Sequence, residues 1–266
     1  REKTQLSRMQ MKRKRMWEQS EEQYVRHKEA LQIWRVLNFS EECPLIAVTG
    51  PHGSGKSTLC RSIQELQRGN SSTTMQFFFI GLGHCKSWDE FCVQVFQELN
   101  ITELDTPGID KWREFAEKVA DRCGVYWRCA LILDCVDKLK VNPKSPETWE
   151  TVKKVLKYWK EHRTRVIFSC RTYPDGVPCY TWSLGELGKE DAKKVFFTAC
   201  ISGQNREITY LEQKVVGELF ARQTFQPSSI DLLGKYANSK SDLTSLLEEW
   251  KLYQVPGESG EQTLSR

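Results

Sequence analysis

The chain has no apolar run longer than a strand, whereas a membrane span needs roughly 18–20 residues. It has no C-x-x-C among its ten cysteines, and its four histidines (His27, His52, His84, His162) are scattered, so no zinc-ligand spacing is present. Several cysteines, such as Cys92, Cys129 and Cys170, sit within apolar stretches. They read as reduced, buried thiols, and the expected location is cytoplasmic. No secretory leader opens the sequence, and its first residue is Arg1 rather than Met, so a piece of a longer protein is expected. Excess charge of one sign is missing from most of the chain. Residues 1–16 carry seven cations and one anion, which leaves −2 for the remaining 250 residues of a chain whose net charge is +4. That balance disfavours a nucleic-acid partner for all but the basic arm, itself most simply a solvated segment.

With 266 residues, 39% hydrophobic and 28% charged, the chain can build a sizeable core. Short apolar runs predict strands over Leu45–Thr49, Met75–Ile80, Ala130–Asp134, Arg165–Ser169 and Tyr180–Leu184. Segments between them place apolar residues at three- and four-residue steps, as in Trp88, Phe91, Cys92, Val95, Phe96 and Leu99, which predicts helices with one buried face. Strand and helix in alternation imply an α/β fold, and strands that are continuously apolar fit a parallel sheet covered on both faces. Beyond residue 188 the pattern is helical only, with helices expected over Lys189–Ile201, Glu207–Gln223, Ser228–Asn238 and Asp242–Leu252. The expected organisation is a basic arm over 1–22, an α/β domain over 23–187, a small all-α domain over 188–252, and a disordered tail or linker over 253–266. No internal repeat is visible.

The first strand runs into Gly50-Pro51-His52-Gly53-Ser54-Gly55-Lys56-Ser57-Thr58, which fits the Walker A pattern G-x-x-x-x-G-K-[ST]. Its glycines let successive backbone N–H groups converge on an anion, and the helix that follows offers a positive dipole end to phosphate. Lys56 adds a point charge at the β- and γ-phosphates, and the Ser57 hydroxyl is a magnesium ligand. The strand Ala130–Asp134 ends in a carboxylate, the Walker B pattern, so Asp134 is the second metal-site residue. Both motifs fall at strand C-termini, where ligands gather in open α/β sheets. The strand Arg165–Ser169 leads into Cys170-Arg171, and Arg171 is placed to read the γ-phosphate.

These motifs resemble the STAND-class P-loop ATPases, the group of NB-ARC and NACHT domains, over roughly residues 22–252. Tyr24-Val25-Arg26-His27 is similar to the segment before Walker A that cups adenine in that family, which implies nucleotide contacts for Val25 and Arg26. Val166–Thr172 resembles its sensor strand ending in Thr/Ser-x-Arg. Phe225-Gln226-Pro227 stands where the family has Gly-x-Pro, implying that Pro227 packs on the base. NACHT members read Asp-Gly-x-Asp-Glu after the Walker B strand; here the residues are Asp134-Cys135-Val136-Asp137-Lys138. The resemblance implies that Asp137 polarises the attacking water, with Lys138 in place of the Glu.

It further implies a P-loop three-layer core with a five-stranded, mostly parallel sheet and a small helical domain. ATP, dATP or ADP with Mg²⁺ would lie between these parts. A signalling switch of the kind used in innate immunity and apoptosis is expected, self-associating in the full-length protein and joined there to effector and sensor regions. A thiol at Cys135 is a poor base, so hydrolysis is expected to be slow or absent. The winged-helix domain that follows in relatives is not found after Leu252. The alternatives are a non-hydrolysing scaffold and a P-loop small-molecule kinase. The kinase is disfavoured because an Arg-rich lid is missing: the downstream helices hold only Arg206 and Arg222.

Overall fold

In the computed structural model, residues 26–39, 45–68, 75–102, 107–125, 129–140, 146–201, 214, 216–217 and 226–238 are described. The basic arm, Val25, the tail, and the helix expected over Asp242–Leu252 lie outside them. So does most of the helix expected over Glu207–Gln223, of which Lys214, Val216 and Gly217 are helical. The chain divides into two compact units. One holds Arg1–Pro51 and Lys56–Leu184; the other holds Gly185–Arg266 together with the loop residues His52–Gly55.

The first unit contains five strands: β1 (Leu45–Thr49), β2 (Gln76–Gly81), β3 (Cys129–Asp134), β4 (Arg165–Cys170) and β5 (Tyr180–Ser183). Their order is β2-β3-β4-β1-β5, and every pairing is parallel rather than mostly so. All residues of β1 and β3 are buried, as their unbroken apolar runs require. Successive strand side chains alternate between the two faces and feed two separate cores. Ile46, Val48, Ala130, Ile132 and Ile167 pack with helices α1 (His27–Phe39) and α2 (Lys56–Arg68). Leu45, Ala47, Leu131, Leu133, Val166 and Phe168 pack on the opposite face with α3 (Trp88–Glu98), α4 (Trp112–Val125) and α5 (Pro146–Glu161).

The second core is rich in aromatic rings. Phe115 of α4 lies within 5.2–6.1 Å, centroid to centroid, of Trp88, Phe91, Phe96 and Trp159. The Trp159 indole N–H is also satisfied, donating to the Ala116 carbonyl at 3.0 Å.

The second unit contains α6 (Lys189–Ile201) and α7 (Pro227–Asn238). The two helices meet at Gly234, where a Cβ would lie 2.6 Å from the Phe196 carbonyl oxygen and 2.7 Å from Ala199 Cβ. Only hydrogen at Gly234 permits so close an approach.

Candidate functional site

β4 is inserted between β1 and β3, so the ends of three adjacent strands carry the Walker A loop, Ser169–Arg171 and Asp134 side by side. In register terms, Ser169 faces Val48 across the β1–β4 ladder and follows the Leu133–Phe168 rung of β3–β4.

The loop after β1 has left-handed backbone at Gly53 (φ 76°) and Gly55 (φ 87°), conformations that a residue with a Cβ rarely adopts. Lys56, the first residue of α2, turns back over this loop. Its Nζ donates to the carbonyls of Gly50 at 2.8 Å and Pro51 at 2.7 Å. Burial pushes the Lys56 ammonium below its ordinary pKa; the nearby Asp137 charge opposes that fall and the Arg171 charge adds to it. Thr58 is exposed beyond it, and its carbonyl accepts from Ser62 Oγ at 3.0 Å.

Ser57 Oγ donates to Asp134 Oδ1 at 2.9 Å, which brings the two expected metal residues together. Ser169 Oγ donates to the same oxygen at 2.6 Å and accepts from the Cys135 N–H at 2.7 Å. Cys135 has a left-handed backbone (φ 68°), and its thiol lies 4.0 Å from Ser57 Oγ. Burial, then the charge of Asp134, pushes that thiol's pKa up, so it is neutral near pH 7. Asp137 follows in a short 3₁₀-helix, Val136–Lys140, where its Oδ2 lies 3.3 Å from Arg171 Nε.

The remaining sequence-stated residues are placed as follows. Pro51 and His52 are exposed on the loop, and Ser54 is fully buried. Arg26 stands just before α1, buried and ion-paired with Glu29 at 3.4 Å, and α1 packs on α2. Pro227 opens α7; within the second unit the next residue, Ser228, donates its N–H to the Gly53 carbonyl at 3.2 Å. A Cβ on Gly53 would collide with the Ser228 side chain.

One participant in the first unit was not singled out from the chain alone: Ser169. Ser169 is the serine of the Ser-x-Arg pattern that ends β4, but nothing in the sequence pairs its hydroxyl with Asp134.

In the first unit, the Lys56 ammonium and the paired Ser57 and Asp134 oxygens fit a nucleotide phosphate chain with a magnesium ion. Within the second unit, Ser54 Oγ, Gln226 Oε1 and Ser228 Oγ are buried with no hydrogen-bond partner among the described residues. Lys56 would meet the phosphates. Two protein oxygens, from Ser57 and Asp134, are too few for magnesium alone but suit an ion whose other ligands are phosphate oxygens and water.

A family profile described as an AAA domain matches residues 40–173, just over half of the chain. No curated protein matches the sequence. Among solved structures, the chain is similar to the ORC1 protein of Aeropyrum pernix in complex with DNA (TM-score 0.58, 13% identity, covering 85% of this chain and 64% of that one). It is also similar to a Walker-type ATPase of Pyrococcus abyssi (0.55, 11%, 84% and 69%) and to Drosophila ORC bound to DNA (0.55, 14%, 84% and 59%). The chain thus spans less than two thirds of the Aeropyrum and Drosophila proteins it matches, and at these identities the likeness is one of fold: an α/β three-layer core of the P-loop NTPase type. The chain belongs to the AAA domain family and carries a P-loop nucleotide-binding module of that type.

Proposed function

We propose that this module is the nucleotide-operated switch of a larger STAND-like protein, binding ATP or ADP with Mg²⁺ and hydrolysing ATP slowly or not at all. The observation that carries the binding half is the convergence of Lys56, Ser57 and Asp134 beyond the C-terminal ends of β1 and β3, which flank β4. When bound, the metal would neutralise phosphate charge. Lys56 would exchange its two carbonyl partners for phosphate oxygens, and Ser57 and Asp134 would orient the ion. Weak turnover is supported by the acids available after β3. Position 135 is a neutral thiol and position 138 is a lysine, which leaves Asp137 as the one carboxylate among residues 135–138.

In this reading Arg171 senses the terminal phosphate, and loss of that phosphate lets the module rearrange and changes self-association in the full-length protein. The differential contacts of Arg171 with ATP and ADP are what shift the population. Protein partners are favoured by the −2 charge outside the first sixteen residues. The presence of DNA in two solved relatives supports nucleic acid as a second class of partner.

The test is mass spectrometry of nucleotide released from the purified protein on denaturation, with Lys56→Ala as control. Adenine nucleotide from the parent protein and none from the variant is expected; an empty parent that also fails to bind added Mg·ATP overturns the reading. Phosphorylation of a small alcohol or nucleoside would identify a kinase instead. Light scattering of the full-length protein with ATP, with ADP and with duplex DNA separates self-association from nucleic-acid binding.

A further inference from the structure

Asp134 ends β3 with its side chain almost fully buried, and a buried carboxylate must be held by donors if it is to present one fixed face to a ligand. Ser57 is one donor, but its hydroxyl oxygen is also the group a metal would take. Ser169 is another, with the shorter contact. It is fully buried at the end of the central strand β4, and its hydroxyl is used in both directions, giving its proton to Asp134 Oδ1 and accepting from the Cys135 N–H. The second bond secures a residue whose left-handed backbone carries a side chain that disfavours it. One hydroxyl therefore fixes both the rotamer of Asp134 and the turn that delivers Asp137.

We infer that Ser169 is a positioning residue for the metal-holding carboxylate: it keeps Asp134 aimed after Ser57 has turned to the ion, and it anchors the Cys135 turn. This rests on the reading of Asp134 as a metal-site residue given above. Ser169 touches neither nucleotide nor ion in this account and acts through Asp134.

The test separates metal-dependent from metal-independent binding. Affinity for a non-hydrolysable ATP analogue is measured by calorimetry with Mn²⁺ and with EDTA, and Mn²⁺ occupancy is followed by its electron paramagnetic resonance signal. In the Ser169→Ala variant the affinity for Mn²⁺ in the ternary complex is expected to fall about 10–100-fold, the range for loss of an outer-shell partner, while affinity in EDTA stays within about twofold. Ser169→Cys preserves the volume and weakens both bonds; it is expected to show the same split and serves if the Ala variant does not fold. Equal losses with and without metal, or no loss in either condition, overturn the proposal. Asp134→Ala distinguishes the two levels: if it abolishes the metal dependence while both Ser169 variants leave it intact, the site reading stands and the role of Ser169 falls. If Asp134→Ala leaves metal binding unchanged, both fall.

Discussion

Arg171 Nε lies 3.3 Å from Asp137 Oδ2, so the cation proposed to read a terminal phosphate and the carboxylate proposed to polarise a water are engaged with each other. Arg171 is half exposed, and an ion pair so open to solvent contributes about 0–1 kcal/mol. A phosphate can therefore take the guanidinium at little cost. Arg171→Ala is expected to reduce the preference for ATP over ADP about tenfold, the scale of one charge-assisted hydrogen bond. Asp137→Asn is expected to tighten ATP binding by about threefold and to abolish residual turnover. Calorimetry with both nucleotides measures the ratio; an unchanged ratio in the Arg171 variant removes its sensing role.

Lys56 is expected to set the alkaline limit of binding. Its ammonium has a pKa below that of an ordinary lysine because of burial, and phosphate favours its charged form. Protonation is thus linked to binding, and affinity must fall as pH rises through the free-state value, reached before the ordinary 10.5. The slope approaches tenfold per pH unit above that point. Lys56→Ala is expected to weaken binding on the order of 100-fold at pH 7 and to remove the alkaline decline. A pH titration of nucleotide affinity on both proteins checks this.

Cys135 is a non-glycine residue in the left-handed region, at the position where NACHT sequences carry Gly. Cys135→Gly is expected to stabilise the α/β unit by about 0.5–1 kcal/mol, the left-handed cost less the extra entropy of glycine. Cys135→Val is expected to lose at least about 1 kcal/mol, since a β-branched residue fits that region worst. Urea midpoints rank the three proteins, and a Val variant as stable as the parent would remove the argument for strain.

Gly234 offers a test in which the sign alone decides. In an exposed helix Gly→Ala gains about 1 kcal/mol. Here the new methyl would meet the Phe196 carbonyl and Ala199, so Gly234→Ala is expected to cost about 1–3 kcal/mol. Thermal denaturation followed by far-UV circular dichroism reads the difference.

Much of the architecture was readable because buried parallel strands are written as unbroken apolar runs. Leu45–Thr49 is matched residue for residue, and β2 to β5 differ from their expected ranges by a residue at one end or both. Walker A was legible because phosphate binding constrains residue types at fixed spacing, and Asp134 because it closes an apolar run. Strand order was not legible: the run Arg165–Cys170 does not say that it lies between the other two motif-bearing strands, which is decided by packing far along the chain. The role of Ser169 was hidden for the same reason, since a buried serine matters only through partners at positions 134 and 135. The left-handed turn at Cys135 was hidden because a cysteine does not advertise it.

β1 has a neighbour on each side, and none of its five residues reaches solvent appreciably. Its amides can exchange with deuterium only when the whole sheet opens, so they will count among the slowest in the protein. The ligand loop is therefore suspended from the most durable portion of the fold, and any slowing of exchange along Leu45–Thr49 on adding nucleotide measures how much the ligand stabilises the entire unit.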